Sequence, residues 1–264
     1  MHTFSGKTAW ITGASSGIGK QLVLALAKAG AKVIISSRKQ ADLLAVQSEC
    51  PDPSQILVLP FDLAEESTIP IIAKQALAFT GAIDYLFNNG GISQRSFVTE
   101  TKMDVYHKLM NINFFGTVAL TKAILPSMIN ARSGQIIVIS SLMGKFASPL
   151  RSGYAAAKHA LHGFFDSLRF EMDEYNIKVL LVCPGFIKTN ISINSVTADG
   201  SKHNVMDNAQ ETGMLASDCA SQILKAIQKN KHEVYIGGKE KYAIYLKRFF
   251  PKILHRVILK SKVT

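Results

Sequence analysis

The sequence predicts one α/β domain built on a doubly wound Rossmann-type parallel sheet of about seven strands, with helices on both faces. Three observations carry this expectation. Short, continuous apolar runs alternate with longer segments of helical periodicity along the whole chain. A glycine-rich turn joins the first apolar run directly to the first helical segment. The 264 residues contain no Pro/Ser-rich linker, repeat or low-complexity tract, so they suit a single core.

The strand-like runs fall near residues 7–12, 32–36, 55–60, 83–87, 135–140, 177–183 and 232–236. They are apolar throughout rather than alternating, as strands covered on both faces are. Long helical patterns lie near 101–130 and 152–175. After the first run comes Thr12-Gly13-Ala14-Ser15-Ser16-Gly17-Ile18-Gly19, then a helical stretch closed by Gly30. Strand, glycine turn and helix start together form a cradle for a diphosphate: the glycines admit close backbone approach, and free N–H groups at the helix start favour negative charge.

Tyr154 and Lys158 are four residues apart in a helical segment, and Ser141 lies thirteen positions before the tyrosine. Residues i and i+4 share a helix face. An ammonium beside a phenol favours phenolate, which fits the tyrosine for proton transfer near neutral pH. Bringing a phenol from about 10 to about 7 takes roughly 4 kcal/mol of preferential stabilisation. Alone, the pair equally describes a snorkelling lysine beside a packed tyrosine. Its position downstream of the cradle and of Ser141 gives it chemical meaning.

Thr12 to Gly19, Asn88-Asn89-Gly90-Gly91, Ser141, Tyr154, Lys158 and Pro184-Gly185 stand in the order and at the spacings of the single-domain short-chain dehydrogenase/reductase family, which the chain resembles from about residue 5 to about 236. The stretch 88–96 resembles the branch of dehydrogenase/reductase members 7 and 7B. The resemblance implies an oxidoreductase in which Ser141 binds the substrate oxygen, Tyr154 protonates it, Lys158 holds the nicotinamide ribose and lowers the tyrosine pKa, and Asn113 holds a water behind the lysine. Asn113 is preferred to Asn111 for its spacing to Gly116, and Ser141 to Ser140 for its spacing to Tyr154. The implied cofactor contacts are Gly13, Ser15, Ser16, Gly17, Ile18 and Gly19 at the diphosphate, and Ser37, Arg38, Lys39, Asp62 and Leu63 at the adenosine. Asn89, Gly90, Tyr154, Lys158, Pro184, Gly185, Ile187 and Thr189 would surround the nicotinamide half. Gly90 replaces the alanine most members carry.

The second strand ends in Ser37-Arg38-Lys39 where an NAD enzyme would place an acid on the ribose hydroxyls. The planar fork of Arg38 suits a 2′-phosphate, so the expected cofactor is NADP(H). The expected reaction is reduction of a hydrophobic ketone or aldehyde of steroid, retinoid or lipid type. Alcohol oxidation, 3-oxoacyl reduction and a non-catalytic cofactor-binding sensor are the other readings; intact Asn113, Ser141, Tyr154 and Lys158 argue against the last. Residues 190–214, polar and poor in helix signals, are expected to form a mobile substrate lid. Ser141, Phe146, Leu150, Phe186, Met206 and Met214 are expected at the substrate.

Residues 239–264 carry eight basic residues against one acid, a formal +7 of the chain's +11, with apolar residues at i, i+3, i+4 and Pro251 as an expected kink. A Rossmann domain over 1–238 with a basic amphipathic helical tail over 239–264 is therefore expected. Such a tail suits an anionic membrane surface; packing on the protein's own pocket or on another subunit is the alternative. No recognition motif supports nucleic acid as a partner. The N-terminus lacks an apolar leader segment. Cys50, Cys183 and Cys219 are odd in number and lack metal spacing, so neither disulfide nor metal is expected. A cytoplasmic setting, peripheral on a membrane if the tail binds one, follows as the expectation. The two long helices resemble the pair through which family members form homodimers or homotetramers.

Overall fold

The first strand, β1 (Thr8–Thr12), is buried at all five positions and lies in the interior of the sheet. The computed structural model describes residues 4–261. From β1 the chain winds outward through helix α1 (Gly17–Lys28), β2 (Lys32–Ser36), α2 (Gln40–Ser48) and β3 (Ile56–Val58). It then returns through α3 (Ile69–Thr80) to the opposite side of β1 and continues as β4 (Tyr85–Asn88). The seven-stranded sheet has the order β3-β2-β1-β4-β5-β6-β9, with β5 at Gly134–Ile139, β6 at Ile177–Pro184 and β9 at Glu233–Ile236. Every pairing in it is parallel. Winding reverses between β1 and β4, which opens a crevice at their carboxyl ends where ligands bind in such sheets.

Helices cover both faces, and the apolar continuity of the strands fills two cores. On one face Ile11, Ile35 and Phe87 pack with Leu22 and Leu26 of α1 and with Ile223 of α8 (Ala216–Gln228). On the other, Trp10, Leu86, Ile136 and Leu181 meet Leu120 and Ile124 of α5 (Gly116–Ala131) and Phe165 of α6 (Ser152–Glu171). Trp10 is fully buried, and its indole N–H donates to Ser36 Oγ at 2.9 Å, so the ring costs no unpaired donor.

The long helical pattern at 101–130 is two α-helices, α4 (Met103–Met110) and α5, joined without a break by one π-helical turn, Asn111–Phe115. The whole helix is long and apolar enough to pass for a membrane span by length and composition alone, yet it is a core helix laid on the sheet. A π turn widens the helix by one residue and often marks a functional site. Here it reorients Asn113 toward the crevice. The pattern at 152–175 ends earlier as helix, at Glu171, and closes in a 3-10 turn over Asp173–Tyr175.

Residues 190–214 are not the loose segment expected from their polarity. They contain a short helix, α7 (Asn208–Glu211), and β8 (Met214–Leu215), which pairs with β7 (Ile187–Lys188). Asp207 is buried and receives Arg95 Nη2, Arg95 Nε and, at 3.0 Å, Arg151 Nη2. Ser192 and Ser195 are also fully buried. The segment is thus pinned to the loop after β4 and to the start of α6.

The C-terminal segment folds as a 3-10 turn, Lys239–Tyr242, then α9 (Ala243–Phe249) and α10 (Pro251–Lys260). Pro251 does more than kink a helix: Phe250 takes φ −136° and ψ 58°, outside the helical region, and the helix is cut in two. Leu254 of α10 is buried against Leu142, Phe146 and Cys183, with Ile244, Leu246 and Ile258 packed around them.

Candidate active site

The turn after β1 is shaped by backbone demands. Gly13 takes φ +63°, and a Cβ there would lie 2.9 Å from both Asn89 Nδ2 and Gly90 Cα. Asn89 locks the turn by donating to the carbonyls of Thr12 at 2.9 Å and Gly13 at 3.1 Å. Helix α1 starts with no side-chain cap and no acid in its first turn. Its N-terminal N–H groups therefore keep their preference for an anion.

A cavity of about 710 Å³ runs from this cradle along the ends of the strands. Gly13, Ser15, Ser16, Gly17 and Ile18 line it, whereas Gly19 does not: it packs its Cα edge on the Gly13 carbonyl and has no room for a Cβ. Ser37, Arg38, Lys39, Asp62 and Leu63 line one end. Ser37 Oγ is buried there without a partner, a polar atom that awaits a ligand. Glycine cradle, bare helix start and orphaned hydroxyl fit a dinucleotide laid across the switch point. The alanine-to-glycine departure at Gly90 has a physical compensation: a Cβ there would sit 2.6 Å from Leu63 Cδ1, so Leu63 occupies the space the methyl would need.

Asn113, Ser141, Tyr154 and Lys158 line the same cavity. Asn113 Oδ1 accepts from the Ile92 N–H at 2.9 Å, while its Nδ2 donates to the carbonyls of Ile92 and Leu109, each at 3.0 Å. The side chain is fully committed to holding the chain after β4 against the π turn. Asn111 lies outside the cavity lining. Ser141 caps a 3-10 turn, Leu142–Gly144, by accepting from the Met143 N–H at 3.1 Å. Ser140 points its hydroxyl inward, to His162 Nε2 at 3.0 Å.

Tyr154 and Lys158 both sit on the buried face of α6. Lys158 Nζ donates to the Ile139 carbonyl at 2.8 Å and lies 5.7 Å from the centre of the Tyr154 ring. Burial lowers the lysine pKa to about 8. Burial raises the Tyr154 phenol, against hydrogen bonding by Ser141 and the positive fields of Arg95 and Arg151, which pull it down. The positive fields of Arg95 and Arg151 thus favour phenolate at Tyr154. Arg95 and Arg151 also line the cavity. The sequence did not single them out: Arg95 lay inside the 88–96 stretch, and its partner Asp207 is 112 positions away.

Pro184, Gly185, Phe186, Ile187 and Thr189 line the cavity from the turn after β6, and Phe146 from the opposite wall. Three expected substrate residues do not. Leu150 is a turn residue with φ +66°, and its carbonyl accepts from the Ser96 N–H. Met206 has its sulfur taken by Ser192 Oγ at 3.3 Å. Met214 is paired in β8 and packs against α1 and α8 on the far core. In their place the cavity takes Ala243, Leu254, Val257 and Ile258 from the C-terminal helices. Of the two roles open to that segment, packing on the pocket is realised, through one of its faces. Glu240, its sole acid, receives the N–H groups of Phe186 at 3.1 Å and Gly238 at 3.0 Å. Cys50, Cys183 and Cys219 are free and buried.

The doubly wound fold and its switch-point cavity are those of the dinucleotide-binding α/β class, and Ser141, Tyr154 and Lys158 line that cavity. Residues 7–200 match the family model for short chain dehydrogenase, and the chain belongs to that family of oxidoreductases. It is similar to dehydrogenase/reductase SDR family member 7B of Mus musculus, 41% identical over 254 residues covering 94% of this chain and 79% of the relative. It is likewise similar to a family protein 7-like of Anopheles gambiae, 42% identical over 265 residues covering 98% and 83%. Among solved structures, a short-chain dehydrogenase from Streptomyces avermitilis superposes with a TM-score of 0.82 at 27% identity, covering 96% of both chains. A short chain dehydrogenase/reductase from Burkholderia phymatum in complex with NAD has the same fold, with a TM-score of 0.81 at 20% identity and coverage of 100% and 98%.

Proposed function

We propose that the protein is an NADP(H)-dependent carbonyl reductase acting on a hydrophobic ketone or aldehyde of steroid, retinoid or lipid type. One observation carries this: a single cavity joins the phosphate cradle and Arg38 at one end to Ser141, Tyr154 and Lys158 at the other. The cofactor supplies hydride. Ser15, Ser16 and Gly17 hold its diphosphate, and Arg38 and Lys39, with Ser37, engage a 2′-phosphate. Asp62 and Leu63 flank the adenine. Ile187 and Thr189, in the turn after β6, hold the carboxamide.

This chain's own work is positioning and proton transfer. Ser141 Oγ donates to the substrate oxygen, and Tyr154 delivers its phenolic proton to the same atom as charge develops there. Lys158 holds the nicotinamide ribose, fixed in aim by Ile139. Asn113 keeps the floor of the site rigid and presents its backbone to the water chain that resupplies the proton. The apolar wall of Phe146, Phe186, Leu254 and Ile258 excludes water and favours an apolar substrate. The same reading places the protein as a homodimer through α4–α5 and α6, whose Phe115 and Phe170 are 44% and 79% exposed. It sets the protein at a membrane surface through residues 239–264. The test is NADPH oxidation with a panel of carbonyls by wild type and Tyr154→Phe. Loss of turnover in the variant is expected; equal turnover on every responsive substrate would remove the mechanism.

A further inference from the structure

The C-terminal helices have two apolar faces, and only one is used. Leu254 and Ile258, four apart on α10, close the cavity. On the other side Tyr245, Phe249, Phe250, Ile253 and Val257 are each about half or more exposed, between 47% and 67%. Lys252, Arg256 and Lys260 recur every four residues on α10, so they form one row alongside the Ile253–Val257 stripe. No lysine or arginine of α9 or α10 is paired with a carboxylate among the described residues. An exposed apolar stripe edged by unneutralised cations is the surface of an interfacial helix, whose long basic side chains reach from the apolar boundary to lipid phosphates.

We infer that the outer face of α9–α10 docks on an anionic bilayer, and that the docked helices form the threshold through which a lipid-dissolved carbonyl enters the cavity. This rests on the reductase and membrane-surface readings and adds the charge of the lipid and the route. A second copy of the chain does not suit the face. An isologous contact would bring two segments of formal +7 against each other, whereas an anionic lipid surface complements them. Val257 marks the threshold directly, since it both lines the cavity and is 47% exposed on the outer stripe. The inner and outer faces belong to helices of seven and ten residues, so the bilayer boundary lies within one helix diameter of the substrate end. Glu240, bonded to the Phe186 N–H, sets the angle of the helices to the turn after β6.

The test uses the full chain with vesicles of phosphatidylcholine alone or mixed with phosphatidylglycerol. Wild type is expected to sediment with the mixed vesicles, less so as salt rises, and weakly with phosphatidylcholine alone. Phe249→Glu/Phe250→Glu and Lys252→Glu/Arg256→Glu, all at exposed positions outside the cavity, are expected to weaken this by about tenfold or more. They should turn over a water-soluble carbonyl at the wild-type rate while losing turnover of a ketone dissolved in the vesicles. Wild-type binding that ignores lipid charge, variants that bind as wild type does, or variants that instead split an oligomer of the chain would each overturn the inference. An active enzyme that ignores vesicles would remove docking and leave the reductase reading standing. Docking without turnover of any carbonyl would do the reverse.

Discussion

The Lys158 ammonium donates to the carbonyl of Ile139 at 2.8 Å, and this one bond aims a buried cation across the cavity floor. Lys158 is 4% exposed. Keeping it charged there has a cost, and the cost gives it a pH signature.

Lys158→Met is expected to lower turnover by on the order of a hundredfold or more, read as NADPH oxidation. It should not destabilise the fold at pH 7. The folded lysine has a pKa of about 8 against 10.5 free. Below pH 8 both states are protonated and the full burial penalty, about 3 kcal/mol, is present. The orphaned Ile139 carbonyl returns about 1–3 kcal/mol of that. Denaturant unfolding should therefore find the variant equal to wild type or more stable by on the order of 1 kcal/mol. As pH climbs from 8 toward 10.5 the folded lysine sheds its proton first, so wild type gains and the difference closes.

His162 predicts the acid side. Burial comes first, with the Lys145 charge behind it, in holding its imidazole at a pKa of about 4, below the free 6.5. Between those values the unfolded chain takes a proton that the folded chain refuses. Stability should fall as pH drops through that window, by about 3 kcal/mol in all. His162→Gln keeps a partner for Ser140 Oγ and should flatten unfolding curves between pH 6.5 and 4. A variant as acid-labile as wild type there would assign the loss to other groups.

Arg38→Asp tests the cofactor reading at one residue. Losing the guanidinium and adding a carboxylate near a 2′-phosphate should raise the NADPH Kd by about 10- to 100-fold, while NADH binding holds or improves. Unchanged NADPH affinity by fluorescence titration would sink the preference.

Asp207→Asn should loosen residues 190–214. The carboxylate sits between two buried guanidiniums, and its loss sets Arg95 against Arg151, whose pKa burial and Arg95 already lower to about 10. Removing the shared partner should cost about 3–5 kcal/mol. Limited proteolysis within residues 190–214 should accelerate by more than the change in global stability accounts for.

Most of the sheet was legible because a parallel strand buried on both faces must be apolar along its length; β1 and β2 need no tertiary information to be seen. The strand near 55–60 came out shorter, Ile56–Val58, although Leu59 and Phe61 still donate to the carbonyls of Ile35 and Ser37 beyond it. The cradle and the Ser141–Tyr154–Lys158 spacing were legible because local geometry forces those residue types into a short register. The lid was not. Its order comes from one buried carboxylate meeting arginines from two distant loops, and a polar segment gives no local sign that a tertiary partner will hold it. For the same reason the sequence could not show that Met206 and Met214 lie outside the cavity lining: a methionine suits a pocket or other packing equally, and only tertiary contacts choose.

The bond from the Phe186 N–H to Glu240 makes the last helices a strut of the turn after β6 rather than an appendage. A chain cut at Gly238 would lose its basic segment, and with it the acceptor that braces Phe186 and the wall that Leu254 and Ile258 supply. Truncation therefore confounds location with catalysis. Under the docking inferred above, the membrane contact and the cavity wall lie on opposite sides of the same two helices, so a sequence drifting to suit a different membrane would also alter its choice of substrate.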